Sequence, residues 1–349
     1  MNALHAETEI APIIGGFFEQ HQPVSDAAGP SVLEAWTEGR PHAAFVNARS
    51  AFAALVAAHH RAVVWLPAFL CADLVQPQFA ARTRFYPVGE GFEPDLTCVE
   101  AGGKAGDIVL VVAYFGQPLS ARTRAIIARR SDLRVVEDRA QALGPDLDSG
   151  AHWQLYSPRK VLGVADGGLL IAGRPGVTLP RPGAPAPAGS LWEPARMRRA
   201  DPMGRQNARW HGANQAKEAA MTVSWQGMTE RSLAILSHTP LEPLVAARIR
   251  NWKALDWRLR RWSALPADPA APPLGYVLRL PEIRRDRVLR ALHAERIFAA
   301  VHWPRIAAPE TDFPREARWT RELITLPCDH RYDPADMARI ATVVAGLLE

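Results

Sequence analysis

Lysine is scarce in this chain. It occurs only at Lys104, Lys160, Lys217 and Lys253, although lysine and arginine together number 41 against 36 aspartates and glutamates. The formal net charge of +5 is therefore carried almost wholly by arginine. Arginine in place of lysine, beside abundant alanine, is what a GC-rich genome produces; it is not by itself a nucleic-acid footprint. The basic clusters Arg196–Arg199 and Arg258–Arg261 read as solvated helix faces that help attract an anionic substrate. Cysteine is scarce too. Cys71, Cys98 and Cys328 are odd in number and lack metal or disulfide spacing, so they read as reduced, small apolar residues. No apolar run reaches the roughly 20 residues needed to span a bilayer. Met1–Gln20 lacks the basic start and apolar stretch of a signal peptide. The expectation is a cytoplasmic protein that engages neither membrane nor nucleic acid.

What is present is ordinary globular material: 349 residues, 48% hydrophobic and 22% charged, a length that suits about two domains. Residues 1–30 read as an irregular N-terminal arm. Ala43–His60 is alanine-rich and reads as mostly helix. Short apolar runs at Ala62–Leu66, Arg84–Val88, Ile108–Ala113, Leu133–Glu137 and Gly168–Ala172 read as strands, with a helical period at Ser120–Arg130. Strand and helix alternating at this spacing predict βαβ units and a mainly parallel sheet, and strands buried on both faces read as unbroken apolar runs. Pro180–Pro194 is rich in proline, glycine and alanine and reads as a linker. Helical character returns at Arg209–Leu236 and Leu244–Trp262. After a proline-rich loop at Pro266–Pro273 come a strand (Leu274–Leu280), a helix (Arg284–Glu295), a short strand and a terminal helix (Pro334–Leu348). The predicted organisation is an arm over 1–30, a large domain over 31–240 and a small α/β domain over 241–349.

Three segments carry chemistry. Lys160 follows a strand and precedes Asp166-Gly167-Gly168. A primary amine forms an imine with an aldehyde where guanidinium does not, although a plain surface lysine also fits. Asp138, in Val135-Val136-Glu137-Asp138-Arg139-Ala140-Gln141, sits at a strand's carboxyl end, where open parallel sheets bind ligands. A carboxylate there can pair with a protonated pyridine nitrogen or simply cap a helix. Asn47-Ala48-Arg49-Ser50-Ala51 opens a helix, whose free N–H groups can hold a phosphate; Ser50 as a helix cap is the plainer role.

Taken in this order, the segments resemble the DegT/DnrJ/EryC1/StrS family of sugar aminotransferases. The resemblance runs from about Ala43 to the C-terminus and is weaker between Pro180 and Trp225. Its matching pieces are Asn47–Leu55, Val64–Phe69, Phe85–Leu96, Ala113–Pro118, Val136–Gly144, Ser157–Leu169 and Leu323–Ile340. It implies a fold-type-I PLP-transferase: an α/β fold with a mainly parallel central sheet, flanking helices and a smaller C-terminal α/β domain. The implied cofactor is pyridoxal 5′-phosphate (PLP). Lys160 is then the Schiff-base lysine and proton shuttle, and Asp138 the partner of the pyridine nitrogen. Gln141 lies near the ring hydroxyl, and Arg49 and Ser50 at the phosphate, with Ser157 as a further phosphate hydroxyl. The implied activity moves an amino group from a donor, plausibly glutamate, to a keto group on a nucleotide-linked sugar, within a homodimer.

Two departures stand out. Cys71 occupies the position where the family places an aromatic residue over the ring, so Phe69 or another group would substitute. Trp225 or Gln226 stands where an asparagine from the neighbouring subunit is usual. These leave room for a PLP enzyme acting on a non-sugar carbonyl, or for a degenerate member that only binds. His302 and Trp303 can reach substrate, with packing as the preferred reading. Asp329-His330-Arg331-Tyr332 reads as structural.

Overall fold

The computed structural model describes residues 11–22, 29–266 and 269–349. The strands are β1 (Ile14–Gly15), β2 (His42–Phe45), β3 (Val64–Pro67), β4 (Thr83–Tyr86), β5 (Ile108–Val112), β6 (Arg134–Asp138), β7 (Trp153–Tyr156), β8 (Gly168–Ala172), β9 (Tyr276–Arg279), β10 (Ile297–Phe298) and β11 (Leu323–Leu326). The helices are α1 (Val32–Thr37), α2 (Ala48–Ala58), α3 (Pro77–Ala80), α4 (Thr97–Gly102), α5 (Ala121–Arg129), α6 (Ala188–Ala200), α7 (Asn207–Ala220), α8 (Glu230–His238), α9 (Leu241–Leu259), α10 (Glu282–Ala294), α11 (Pro314–Glu322) and α12 (Pro334–Leu348).

Seven strands form the central sheet in the order β2-β8-β7-β6-β5-β3-β4. The pairs from β7 to β4 are all parallel, and β8 alone runs against its neighbours on both sides. The mainly parallel α/β sheet expected from the apolar runs is therefore present. β5 and β8 are buried at every residue, as strands covered on both faces must be. Strand β2, read from sequence as the start of a helix, pairs instead with β8. It is an edge strand with alternating burial, and the helix begins only at Ala48.

The second core lies further along the chain. Strands β9 and β11 pair antiparallel. Leu278, Leu280, Ile324 and Leu326 pack there with Leu255 and Leu259 of α9 and with Ile340 and Val344 of α12. Ile14 joins this cluster, because β1 pairs in parallel with β10. The described part of the arm, 11–22, carries β1 as its regular element and is otherwise irregular chain that straps across this core; residues 1–10 and 23–28 lie outside the described residues. The linker expected at Pro180–Pro194 is shorter than its composition suggests, since α6 starts at Ala188 and contains Pro194.

Beneath the sheet's carboxyl edge runs a buried polar network. Glu137 is wholly buried and pairs with Arg139 at 2.6 Å. Arg139 also donates to the Tyr156 hydroxyl at 2.9 Å, and Gln154 donates to Glu137 at 3.2 Å. Removing one member of a buried pair strands the other charge. Arg139→Ala should therefore cost about 3–5 kcal/mol of stability, measured by urea unfolding. A joint replacement of Glu137 and Arg139 by apolar residues of similar volume should cost less than Arg139→Ala alone.

Candidate active site

The sheet's topology gathers the candidate residues on one edge. Six strands point the same way, so β2, β3, β5, β6 and β7 all deliver their carboxyl ends there. Those ends lead to Asn47–Ser50, Phe69–Cys71, Tyr114–Gly116, Asp138–Gln141 and Ser157–Lys160. Open parallel sheets bind ligands at this edge.

Asp138 is the last residue of β6. One carboxylate oxygen accepts from the Ala140 N–H at 2.8 Å. Burial pushes its pKa up, and the nearby charge of Lys160 pulls it part of the way back. Lys160 closes a short turn after β7 and lines a cavity of about 710 Å³. His302 lines the same cavity, half-buried, with Nδ1 3.0 Å from the Thr325 hydroxyl. Burial, and then the Lys160 charge, hold its pKa down to about 3. Lys160 thus stands within electrostatic reach of both Asp138 and His302.

Gln141 has a split role. Its side-chain carbonyl accepts from the Phe115 N–H at 2.6 Å, which fixes a turn where Phe115 has φ +53° and Gly116 φ +84°. A Cβ on Gly116 would stand 2.9 Å from the Gln141 carbonyl oxygen, so that position requires glycine. The Gln141 side-chain N–H group is buried and meets no acceptor. Ser157 is buried beside Lys160, and its carbonyl accepts from the Lys160 N–H at 3.1 Å.

The start of α2 is held in place by Asp166-Gly167-Gly168. Gly167 donates to the Val46 carbonyl at 2.8 Å, and a Cβ on Gly168 would fall 2.2 Å from the Asn47 carbonyl carbon. Asp166, fully buried, accepts from the Thr229 N–H and hydroxyl at 2.7 Å each and so ties down the start of α8. Asn47, not Ser50, caps α2, accepting from the Ser50 N–H at 2.8 Å. Among the described residues, the Arg49 N–H has no acceptor, as expected of a helix's first turn, whereas the Ala48 N–H faces the Gly167 carbonyl across a parallel bridge. The side chains there are committed elsewhere. Arg49 donates to the Met221 carbonyl at 2.6 Å and pairs with Asp73 at 3.4 Å. The Ser50 hydroxyl donates to Asn47 and accepts from the Ser224 N–H, both at 3.0 Å.

Of the seven residues assigned from sequence to the chemistry and the cofactor, only Lys160 lines the cavity itself; His302, raised from sequence as a substrate contact, lines it too. Cys71 is half-buried, with its backbone bridged to Ile306. Phe69 is fully buried in an aromatic cluster with Tyr114, Trp303 and Trp319, so Trp303 is a packing residue. Trp225 and Gln226 are exposed.

Sequence reasoning missed the strap. Arg198 donates to the Gly15 and Phe17 carbonyls and pairs with Glu19 at 3.2 Å. Arg331 pairs with the same Glu19 at 3.2 Å and with Asp329 at 2.7 Å. Burial alone would raise the Asp329 carboxyl, but Arg331 holds it well below the usual range. Arg198 is therefore a buried clasp and not part of a solvated face. Phe17 and Phe18, set by the clasp, line the Lys160 cavity. The signal available in sequence was Gly15-Gly16, both at positive φ. Arg258 and Arg261 do lie on an accessible helix end.

Half-buried histidines set the response to acid. Burial holds His330 down to about 4 and His302 to about 3. Both stay neutral when folded but take up protons near pH 6.5 when unfolded. Their stabilising contribution is complete above about pH 6.5 and declines as pH falls toward the folded values. Melting curves should show Tm dropping by roughly 5 °C between pH 7 and pH 5. A His302→Gln/His330→Gln double variant should lose most of that drop.

Among the described residues, no group of three or more His, Cys, Asp or Glu is placed to hold a metal, and no helix is long and apolar enough to cross a membrane. No family model matches the chain, nor does any curated protein. Solved structures do. A DegT DnrJ EryC1 StrS aminotransferase from Brucella abortus is 18% identical, with TM-score 0.61, over 91% of this chain and 90% of the other. DesI, crystallised in the presence of its TDP-sugar product, is 18% identical, with TM-score 0.59, over 89% and 81%. NtdA from Bacillus subtilis, with the cofactor PMP bound, is 12% identical, with TM-score 0.62, over 92% and 78%. The chain has the fold of these proteins across nearly its whole length.

Proposed function

We propose that this protein is a PLP-dependent aminotransferase that uses Lys160 and accepts a sugar-borne carbonyl. The observation that carries the reading is the placement of Lys160. It is one of only four lysines, opens on a large cavity, and lies close enough to Asp138 to move its pKa.

The residues fit PLP in three respects. Asp138 offers a buried carboxylate within electrostatic reach of the Lys160 amine, Gln141 offers an unpaired amide donor, and the first turn of α2 offers the free N–H group of Arg49. Arg49 and Ser50 would then support the turn from behind, since their side chains hold Met221 and Ser224. When bound, PLP supplies an aldehyde for the lysine and an electron sink for the substrate's α-carbon.

The chain's own residues do the rest. Lys160 Nζ holds and releases the migrating proton. Asp138 keeps a negative charge where a ring nitrogen is to stay protonated. His302, neutral through the physiological range, offers a hydrogen bond without competing for the proton. Phe17 and Phe18 cover the cavity and keep water from the reacting atoms. The sugar acceptor rests on the likeness to sugar aminotransferases and on the cationic wall of Arg159, Lys160, Arg248 and Arg331, which suits a phosphate-bearing acceptor.

The deciding experiment is a visible spectrum of the PLP-loaded protein with and without L-glutamate. A band that bleaches with glutamate supports the reading. A protein that stays colourless after PLP is added overturns it.

A further inference from the structure

Two cavities flank the strap. The Lys160 cavity, of about 710 Å³, has Gly15, Gly16, Phe17 and Phe18 on its strap side. A second cavity, of about 520 Å³, is lined by Phe18, Glu19, Gln20, His21 and Gln22. Among the described residues, three face both spaces: Phe18, Trp210 and Arg331. They form the wall between the two.

The three are not held alike. Trp210 is 5% exposed. Its indole N–H donates to Asp201 at 3.1 Å, and its ring meets Phe17 edge-on at 5.4 Å. Arg331 is gripped by Asp329 through bonds of 2.7 and 2.9 Å and by Glu19 at 3.2 Å. Phe18 is held by ring contacts. The Arg331 guanidinium lies 4.0 Å from its centroid, and His330 stacks nearly parallel at 5.6 Å. Such contacts are weak beside a bidentate ion pair. The backbone on either side is tied down independently of this ring. The Gly15 N–H donates to the Tyr332 hydroxyl at 2.6 Å, the Gln20 N–H to the Ala195 carbonyl at 3.2 Å, and the His21 N–H to the Gly163 carbonyl at 2.8 Å. The course of the strap therefore does not depend on the Phe18 side chain, and the ring is the part of the wall that can be removed without undoing the clasp.

We infer that Phe18 is a specificity-determining residue that sets how long a molecule can be at Lys160. Its ring ends the Lys160 cavity on the strap side and keeps the second cavity out of a substrate's reach. A packed side chain selects by overlap, because a longer ligand must displace it or stay out. The importance of this for catalysis rests on the transaminase reading, to which it adds the substrate's shape: compact on the side that faces the strap.

The test uses the full chain, cleared of PLP with hydroxylamine, and two rigid aldehydes that differ by one ring, benzaldehyde and biphenyl-4-carbaldehyde. The lysine amine adds to the aldehyde carbonyl, water leaves, and borohydride delivers hydride to the imine, which fixes the label for peptide mass spectrometry. Lys104 and Lys253, both exposed, report the intrinsic reactivity of each aldehyde. In wild type, the ratio of biphenyl to benzyl label at Lys160 should lie at least about tenfold below the ratio at those two lysines. Phe18→Ala should bring it to within about threefold of them, because the ring's place becomes a passage into the second cavity. Phe18→Leu should fall between, and it carries the test if the alanine variant fails to fold by circular dichroism. Equal ratios at all three lysines in wild type overturn the inference. So does a folded variant that still excludes the biphenyl label, or a Lys160 that neither aldehyde labels. Labelling needs no cofactor. Exclusion that depends on Phe18 in a protein that stays colourless with PLP would leave the partition standing and remove the transaminase reading.

Discussion

Lys160→Ala should leave a folded protein that gains no visible band on addition of PLP and loses turnover by at least ~10³-fold. Among the described residues, Lys160 is the one lysine that lines the cavity, and in the proposed reading the same amine carries the proton. Lys160→Arg separates charge from chemistry. A guanidinium preserves the positive field that acts on Asp138 and His302, so stability should hold, yet it forms no imine. Both variants should therefore be inactive, and only the alanine variant should shift the Asp138 titration. Borohydride treatment followed by peptide mass spectrometry provides a direct check. Wild type should carry the cofactor mass on the peptide containing Lys160, and neither variant should carry it anywhere. Turnover in Lys160→Ala within tenfold of wild type, without added amines, would remove this lysine from the chemistry.

How much of this was legible in the sequence depends on what each segment is next to. Strands buried on both faces announce themselves, because polar residues are excluded; Ile108–Val112 and Gly168–Ala172 were readable for that reason. Strand β2 was not. Its alanines pair with β8, and alanine carries helix propensity wherever tertiary packing does not override it. Asp138 and Lys160 were legible as residue types at a strand end and before a glycine pair. Their proximity was not, since it depends on β6 and β7 being neighbours. Arg248 had a faint signal: a charged residue in the buried stripe of α9, between Leu244 and Leu255. The strap was least readable. Its anchors, Arg198 and Arg331, lie about 180 and 310 residues away along the chain, and no local pattern records such a pairing.

The same neighbour dependence sharpens the expected result at Asp138. Asp138→Asn keeps the shape and the oxygen that accepts from the Ala140 N–H at 2.8 Å, and removes only the charge. Because that carboxylate is buried, deleting its charge relieves a desolvation cost while giving up its attraction to Lys160. The two effects oppose each other, so the melting temperature should move by no more than about 2 °C. Turnover should not be spared. A charge-assisted hydrogen bond contributes about 1.5–3 kcal/mol, and the ring's capacity to accept electrons depends on its nitrogen staying protonated. The asparagine variant should lose roughly 10²-fold in kcat, with the visible band retained because Lys160 is intact. Asp138→Ala should lose as much activity and, in addition, stability, since the Ala140 N–H is left without an acceptor. An asparagine variant that turns over within threefold of wild type would mean that Asp138 serves the Ala140 turn and not the cofactor, and the ring's partner would have to be sought elsewhere on this edge.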